Sequence, residues 1–196
     1  MQTDKENAGR MCRRPRADAL LNRKRLLSAA KAAFAEAGAD VSLVEIARRA
    51  NVGVGTAYRN FPTKDSIIEA VYRAEVEHLA DAAPQLIASM PAAEALHKWM
   101  HLFVDYVAAK RGLASALGVM INEGSELYSY SIGLLTQATT LLVERAIADG
   151  AIRDDATPID LLRAQIGFCR DKAHPDWQAC ARRLVDIFFD GLKCKT

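Results

Sequence analysis

No apolar run in this chain approaches the roughly 20 residues of a membrane-spanning helix. The basic N-terminal stretch MQTDKENAGRMCRRPR has no apolar segment behind it either, so neither a membrane nor a secretory destination is expected. Cysteine is scarce: Cys12, Cys169, Cys180 and Cys194 are scattered without CxxC spacing, which fits neither a zinc site nor a disulfide framework. A reducing, cytoplasmic compartment is the expectation. Runs of alternating β-branched residues bounded by hairpin turns are missing. So are a phosphate-binding glycine loop and any Ser/His/Asp or Cys/His signature, so neither an enzyme nor a bound cofactor is expected.

What is present is ordinary in bulk and uneven in detail. At 196 residues, 51% hydrophobic and 26% charged, the chain fits one domain, or a small domain of about fifty residues joined to a larger one. The net charge of +2 hides an asymmetry: residues 1–64 carry 13 Lys and Arg against 6 Asp and Glu, and residues 65–196 carry 13 against 18. The front end therefore suits a polyanion.

Almost every periodic segment has helical spacing, which predicts an all-α fold of about nine helices. After a basic, disordered tail over residues 1–17, a first helix runs from Asp18 with Leu27, Ala30 and Phe34 on one side to a C′ glycine at Gly38. In VSLVEI, Ser42 caps a second helix, Glu45 closes a capping box and Val41 staples onto Ile46. Asn51 takes a left-handed turn position, and a short third helix follows from Val54 to Asn60. Pro62 and Thr63 break and recap the chain, and a fourth helix from Lys64 ends or kinks at Pro84. Five more helices are expected over about 92–110, 113–122, 125–149, 158–171 and 175–192, with Thr157 and Pro158 a strong start for the eighth.

The stretch NVGVGTAYRNFPTKDSI, residues 51–67, has the chemistry of a helix-turn-helix whose second helix enters the DNA major groove. Gly55 permits a close approach to phosphate, Thr56 and Tyr58 offer hydroxyls, and Arg59 can neutralise the backbone or read guanine. Lys64 stands at a helix start, where a phosphate also meets free N–H groups, and Ser42 stands at another. Arg23, Lys24 and Arg25 flank the surface.

These residues closely resemble the DNA-binding domain of TetR-family transcriptional regulators. Leu26, Leu27, Ala29 and Ala30 stand for the first helix of the family pattern, and Ser42, Ile46 and Ala47 for the second. Gly55, Thr56, Tyr58, Phe61 and Lys64 stand for its third part. Asn51 replaces the usual turn glycine and Gly53 the usual serine, so the recognition helix lacks a side-chain cap. By this resemblance, Val54, Thr56, Ala57 and Asn60 are the variable base-reading positions. It also implies a division into residues 18–66, which bind double-stranded DNA, and residues 67–196, which bind a small-molecule effector and dimerise.

For the homodimer, the eighth helix offers Ile159, Leu162, Ile166 and Cys169, and the ninth Trp177, Ala181, Leu184, Phe188 and Leu192, as facing stripes. For the effector pocket, Trp99, Phe103, Met120 and Tyr128 lead a set that includes Met100, Tyr106, Asn122, Glu123 and Gln137. Cys169 and Cys180 are expected as small buried residues. The expectation is a repressor of a palindromic operator, released by its effector. A sequence-independent architectural DNA binder is one alternative. Another is a metal oxidase on the E-x-x-H pairs Glu75–His78 and Glu94–His97, opposed by their short link and the want of further Glu ligands. His97 and His101 could also serve an inorganic sensor.

Overall fold

A computed structural model of the chain describes residues 14–113, 116–117, 120, 124–170 and 175–194. Eight α-helices are formed by these residues: α1 Arg14–Ala37, α2 Leu43–Arg49, α3 Val54–Asn60, α4 Lys64–Ser89, α5 Ala92–Arg111, α6 Glu126–Ala148, α7 Pro158–Phe168 and α8 Trp177–Leu192. No strand occurs among the described residues, whose one β feature is the isolated bridge between Ile152 and Lys193. The helix expected over 113–122 falls mostly outside them, although 116, 117 and 120 are helical.

The chain divides into two compact units. One comprises the described residues up to Val71 with those of 112–116; the other comprises Tyr72–Arg111 and the described residues from Leu117 onward. The division falls inside α4.

In the first unit, α1 buries Leu26, Ala30, Ala33 and Phe34. This is the i, i+4, i+7, i+8 stripe of a helix with one core face, and Leu27 stands beside it half-buried. Ile46, Ala47, Ala57, Phe61, Ile67 and Ile68 complete that core. Burial of each large side chain here contributes about 1.5–3 kcal/mol. The described helix already includes Arg14–Arg16 and so extends into the span expected to be tail. Gly38, at φ 73°, supplies the left-handed residue that ends it.

The second unit is built on α5, which buries Leu96, Trp99, Met100, Phe103 and Val104. Trp99 Nε1 donates to the Leu79 carbonyl at 2.8 Å, fastening α5 to α4. Of the two outcomes expected at Pro84, an end is not what occurs, since α4 runs through it to Ser89. Burial of Leu79, Ala83 and Leu86 on both sides of the proline outweighs a cost of about 3 kcal/mol. Capping chemistry sets the later starts: Ser125 Oγ accepts from Tyr128 N, and Thr157 Oγ1 accepts from Asp160 N with Pro158 in the first turn. Cys169 is buried as expected, but Cys180 is exposed, on the outer face of α8.

Candidate DNA-reading surface and effector cavity

The turn between α2 and α3 is closed by the backbone. Asn51, at φ 51°, is the single non-glycine residue among those described with positive φ. Its N–H donates to Arg48 O at 3.2 Å and that of Val52 to Ala47 O at 3.0 Å. This pair of bonds is a Schellman motif, which satisfies the last carbonyls of α2 and turns the chain sharply. Ser42 Oγ accepts from Glu45 N at 3.2 Å, but the expected capping box is only half made. The Glu45 carboxylate instead accepts from Arg48 Nε at 2.8 Å and Arg49 Nε at 2.9 Å, and Arg49 Nη1 reaches Glu36 at 2.6 Å. Hydrogen bonds from Arg48 and then Arg49 hold the Glu45 pKa down at about 2. Both α2 arginines are thus paired within the protein, which moves the free cationic reach of the surface onto other residues.

Helix α3 begins at Gly53 without a side-chain cap. Its spacing sorts the residues: Ala57 and Phe61 are buried, while Val54, Gly55, Tyr58 and Arg59 face solvent. Tyr58 is 48% exposed and Val54 42%. A Cβ added at Gly55 would meet nothing within 4 Å, so the helix is open there to an approaching surface. One expected base reader, Ala57, is corrected, and a second, Asn60, is engaged within the helix. Ala57 lies on the core side of the helix, fully buried. Asn60 is half-buried and committed, its Nδ2 donating to Thr56 O at 2.8 Å. Thr56 keeps a half-buried hydroxyl, which accepts from Arg59 Nη2 at 2.9 Å.

Around this helix, Arg25 and Ser42 are exposed, whereas Arg23 is structural, its guanidinium lying 4.5 Å over the Phe61 ring. Lys64 opens α4 below a reciprocal cap in which Ser66 N donates to Thr63 Oγ1 at 3.1 Å and Thr63 N to Ser66 Oγ at 3.2 Å. Its ammonium stands 3.7 Å from Asp40, a surface pair worth no more than about 1 kcal/mol.

The second unit holds a cavity of about 440 Å³, of the size that takes a small molecule. Phe103 and Tyr128 line it, together with Tyr72, Tyr106, Lys110 and Arg170. Tyr106 donates to the Tyr72 hydroxyl at 3.0 Å. Burial first, then the neighbouring Tyr72, pushes the Tyr106 pKa far up, so its hydroxyl stays a neutral donor. Trp99 does not line the cavity: it is fully buried and hydrogen-bonded in the core. Met120 is half-buried and also stands apart from the lining, while Asn122 and Glu123 lie outside the described residues.

Of the stripes expected at the dimer interface, Ile159, Ile166 and Leu184 are exposed, at 41%, 48% and 37%. Phe188 is half-buried, its ring 5.5 Å from Phe168. Leu162 and Trp177 face inward instead, at 1% and 6%. The core stripe of α8 is Trp177, Ala181, Val185, Phe189 and Leu192. Its outer stripe includes Ile187, 69% exposed, which sequence reasoning missed although the 180, 184, 187, 191 spacing carries it.

Among the described residues, the one group with ligand-like proximity is His97, His101 and Asp186; Glu75, His78 and Glu94 stand outside it, so the E-x-x-H pairs build no di-iron centre. No helix of the described residues is long and apolar enough to cross a membrane.

Residues 26–71 match the family model of bacterial regulatory proteins of the tetR family. Residues 91–194 match that of the transcriptional regulator SbtR-like C-terminal domain. No curated protein matches. Among solved structures, a TetR transcriptional regulator of Streptomyces coelicolor is 44% identical over 89% of this chain and 99% of its own, with a TM-score of 0.78. A TetR regulatory protein of Mycobacterium vanbaalenii is 32% identical over 91% and 99%, with a TM-score of 0.75.

Proposed function

This chain belongs to the TetR family of transcriptional regulators, and from that premise we propose that it acts as a cytoplasmic homodimeric repressor of a palindromic operator, released by a small-molecule effector. The observation that carries the DNA-reading part is the outward face of α3, where Val54, Gly55, Tyr58 and Arg59 stand together on a helix fixed by a Schellman turn. Tyr58 and Arg59 reach base edges or phosphates, Gly55 lets the backbone come close, and Thr56 contributes once Arg59 releases it. Lys64, Ser42 and Arg25 hold flanking phosphates.

The exposed face of Ile159, Ile166, Leu184 and Ile187 supports pairing of α7 and α8 with the same helices of a second copy. The cavity supports an effector with a mostly apolar body and an anionic end, because Lys110 and Arg170 are the charged residues of a lining that otherwise consists of aromatic and aliphatic side chains with Ser131 and Cys169, and no carboxylate is among its described residues. Effector binding releases DNA by favouring a dimer geometry whose two α3 helices no longer match the half-sites. Footprinting on DNA from upstream of the protein's own coding region tests the reading. Two protected half-sites related by a dyad, with centres about 10–10.5 bp or a multiple apart, are expected. Protection of one lone half-site would contradict the dimer.

A further inference from the structure

Helix α5 places His97 and His101 one turn apart on one face, and α8 brings Asp186 against both. Asp186 Oδ1 lies 2.7 Å from His97 Nε2 and 2.8 Å from His101 Nε2, and the two Nε2 atoms are 3.3 Å apart. The arrangement is held in place: the His97 ring stacks on Phe189 with centroids 4.5 Å apart and meets the His101 ring edge-on at 4.8 Å. It is also reachable, since the three side chains are 35%, 23% and 51% exposed.

We propose that His97, His101 and Asp186 form a binding site for one divalent transition-metal ion of the Zn²⁺ type. A tetrahedral ion with bonds of about 2.0–2.1 Å keeps its ligand atoms roughly 3.3–3.4 Å apart. The two Nε2 atoms already stand at that separation. Asp186, half exposed at the surface of α8, has only to withdraw by about 0.5 Å from each nitrogen to complete three corners of the tetrahedron, leaving the fourth to water. Two imidazoles and a carboxylate, with no thiolate, suit Zn²⁺, Ni²⁺ or Co²⁺ and disfavour Cu⁺, Ca²⁺ and Mg²⁺.

Arg182 sets the terms. Its Nη1 lies 3.2 Å from His101 Nδ1, and a guanidinium only donates, so Nδ1 accepts and the His101 proton sits on Nε2, toward Asp186. An ion at Nε2 expels that proton, and the neutral ring then carries its hydrogen on Nδ1, facing the Arg182 donor. Arg182 must turn away toward Asp105, with which it is already paired. Arg182 thus competes with the metal, and a side chain there able to accept from Nδ1–H would favour it.

The test uses the full chain without a histidine tag, stripped of metal by chelator, titrated with Zn²⁺ by calorimetry and with Co²⁺ by visible absorption. One ion per chain with a Kd below about 10 µM, and Co²⁺ ligand-field bands of a four-coordinate site, are expected. His97→Gln, His101→Gln and Asp186→Asn should each weaken Zn²⁺ binding by about 100-fold or more, beyond the effect of losing an outer partner, with far-UV circular dichroism unchanged. Arg182→Gln should tighten it. Failure to bind stoichiometrically, or binding that the three ligand substitutions leave unchanged and Cys180→Ser removes, would overturn the site. Weaker binding in Arg182→Gln would overturn the competition.

Discussion

Lys64→Ala isolates one phosphate contact. In the free protein the ammonium stands 3.7 Å from Asp40, whose side chain is fully exposed, so its release to a phosphate costs less than about 1 kcal/mol. Each phosphate neutralised contributes about 0.9 to the slope of log K against log salt. A dimer lacking Lys64 loses two such contacts, and its slope falls by about 1.8. Over a fourfold rise in salt, from about 50 to about 200 mM, the wild type should therefore lose roughly 12-fold more affinity than the variant. At the low-salt end the variant should bind about 30-fold more weakly, from about 1 kcal/mol per protomer. Fluorescence anisotropy across a salt series measures both numbers on one labelled duplex. Asp40→Asn is the companion: it removes the competing carboxylate and a charge that repels phosphate, so affinity should rise a few-fold. A Lys64→Ala slope equal to the wild-type slope would refute the phosphate contact, whatever the change in affinity.

Asn51→Ala forces a Cβ-bearing residue without a turn-favouring side chain into the left-handed region, costing about 1–2 kcal/mol. Thermal unfolding should show a Tm lower by about 2–8 °C, while Asn51→Gly stays level; an equal fall in both would move the cause to the asparagine amide. Trp99→Phe removes the bond to Leu79 and leaves unfilled core volume, so stability should drop by about 2–3 kcal/mol. DNA affinity should hold, and an unchanged Tm would contradict the core placement. Glu45 has its carboxyl pKa lowered from 4.5 to about 2 by Arg48 and Arg49. The advantage of wild type over Glu45→Gln should therefore be complete above the unfolded value and be lost as pH falls toward the folded one. Denaturation at a series of pH values checks this, and an advantage that grows on acidification would reverse the sign.

The front of the molecule was legible because its signals are local. Ser42, Asn51 and Thr157 act within four residues of themselves, and the caps and turn they imply are present. What α3 presents was only partly legible. Residue type marked positions 54–60 as a reading helix, but the register that turns Ala57 inward and ties Asn60 to Thr56 depends on the core beneath it. The stripes of α7 and α8 were legible only in part, for a related reason. Each helix has two apolar faces, and periodicity finds both without saying which one the protein itself covers; Leu162 and Trp177 went to the inner face and Ile187 to the outer. That α4 continues past Pro84 depends on packing that no local rule contains. The His97, His101 and Asp186 cluster joins residues 85 and 89 positions apart. Only its His pair, one helical turn apart, was visible beforehand.

The central claim is that α3 reads sequence and does not merely hold phosphates. Its most direct test is anisotropy of the purified protein on DNA from its own upstream region against a scrambled duplex, at matched salt. A ratio of specific to scrambled affinity of about 10³ or more is expected. Equal affinities, both falling steeply with salt, would contradict it and mark the surface as an electrostatic clamp without a code.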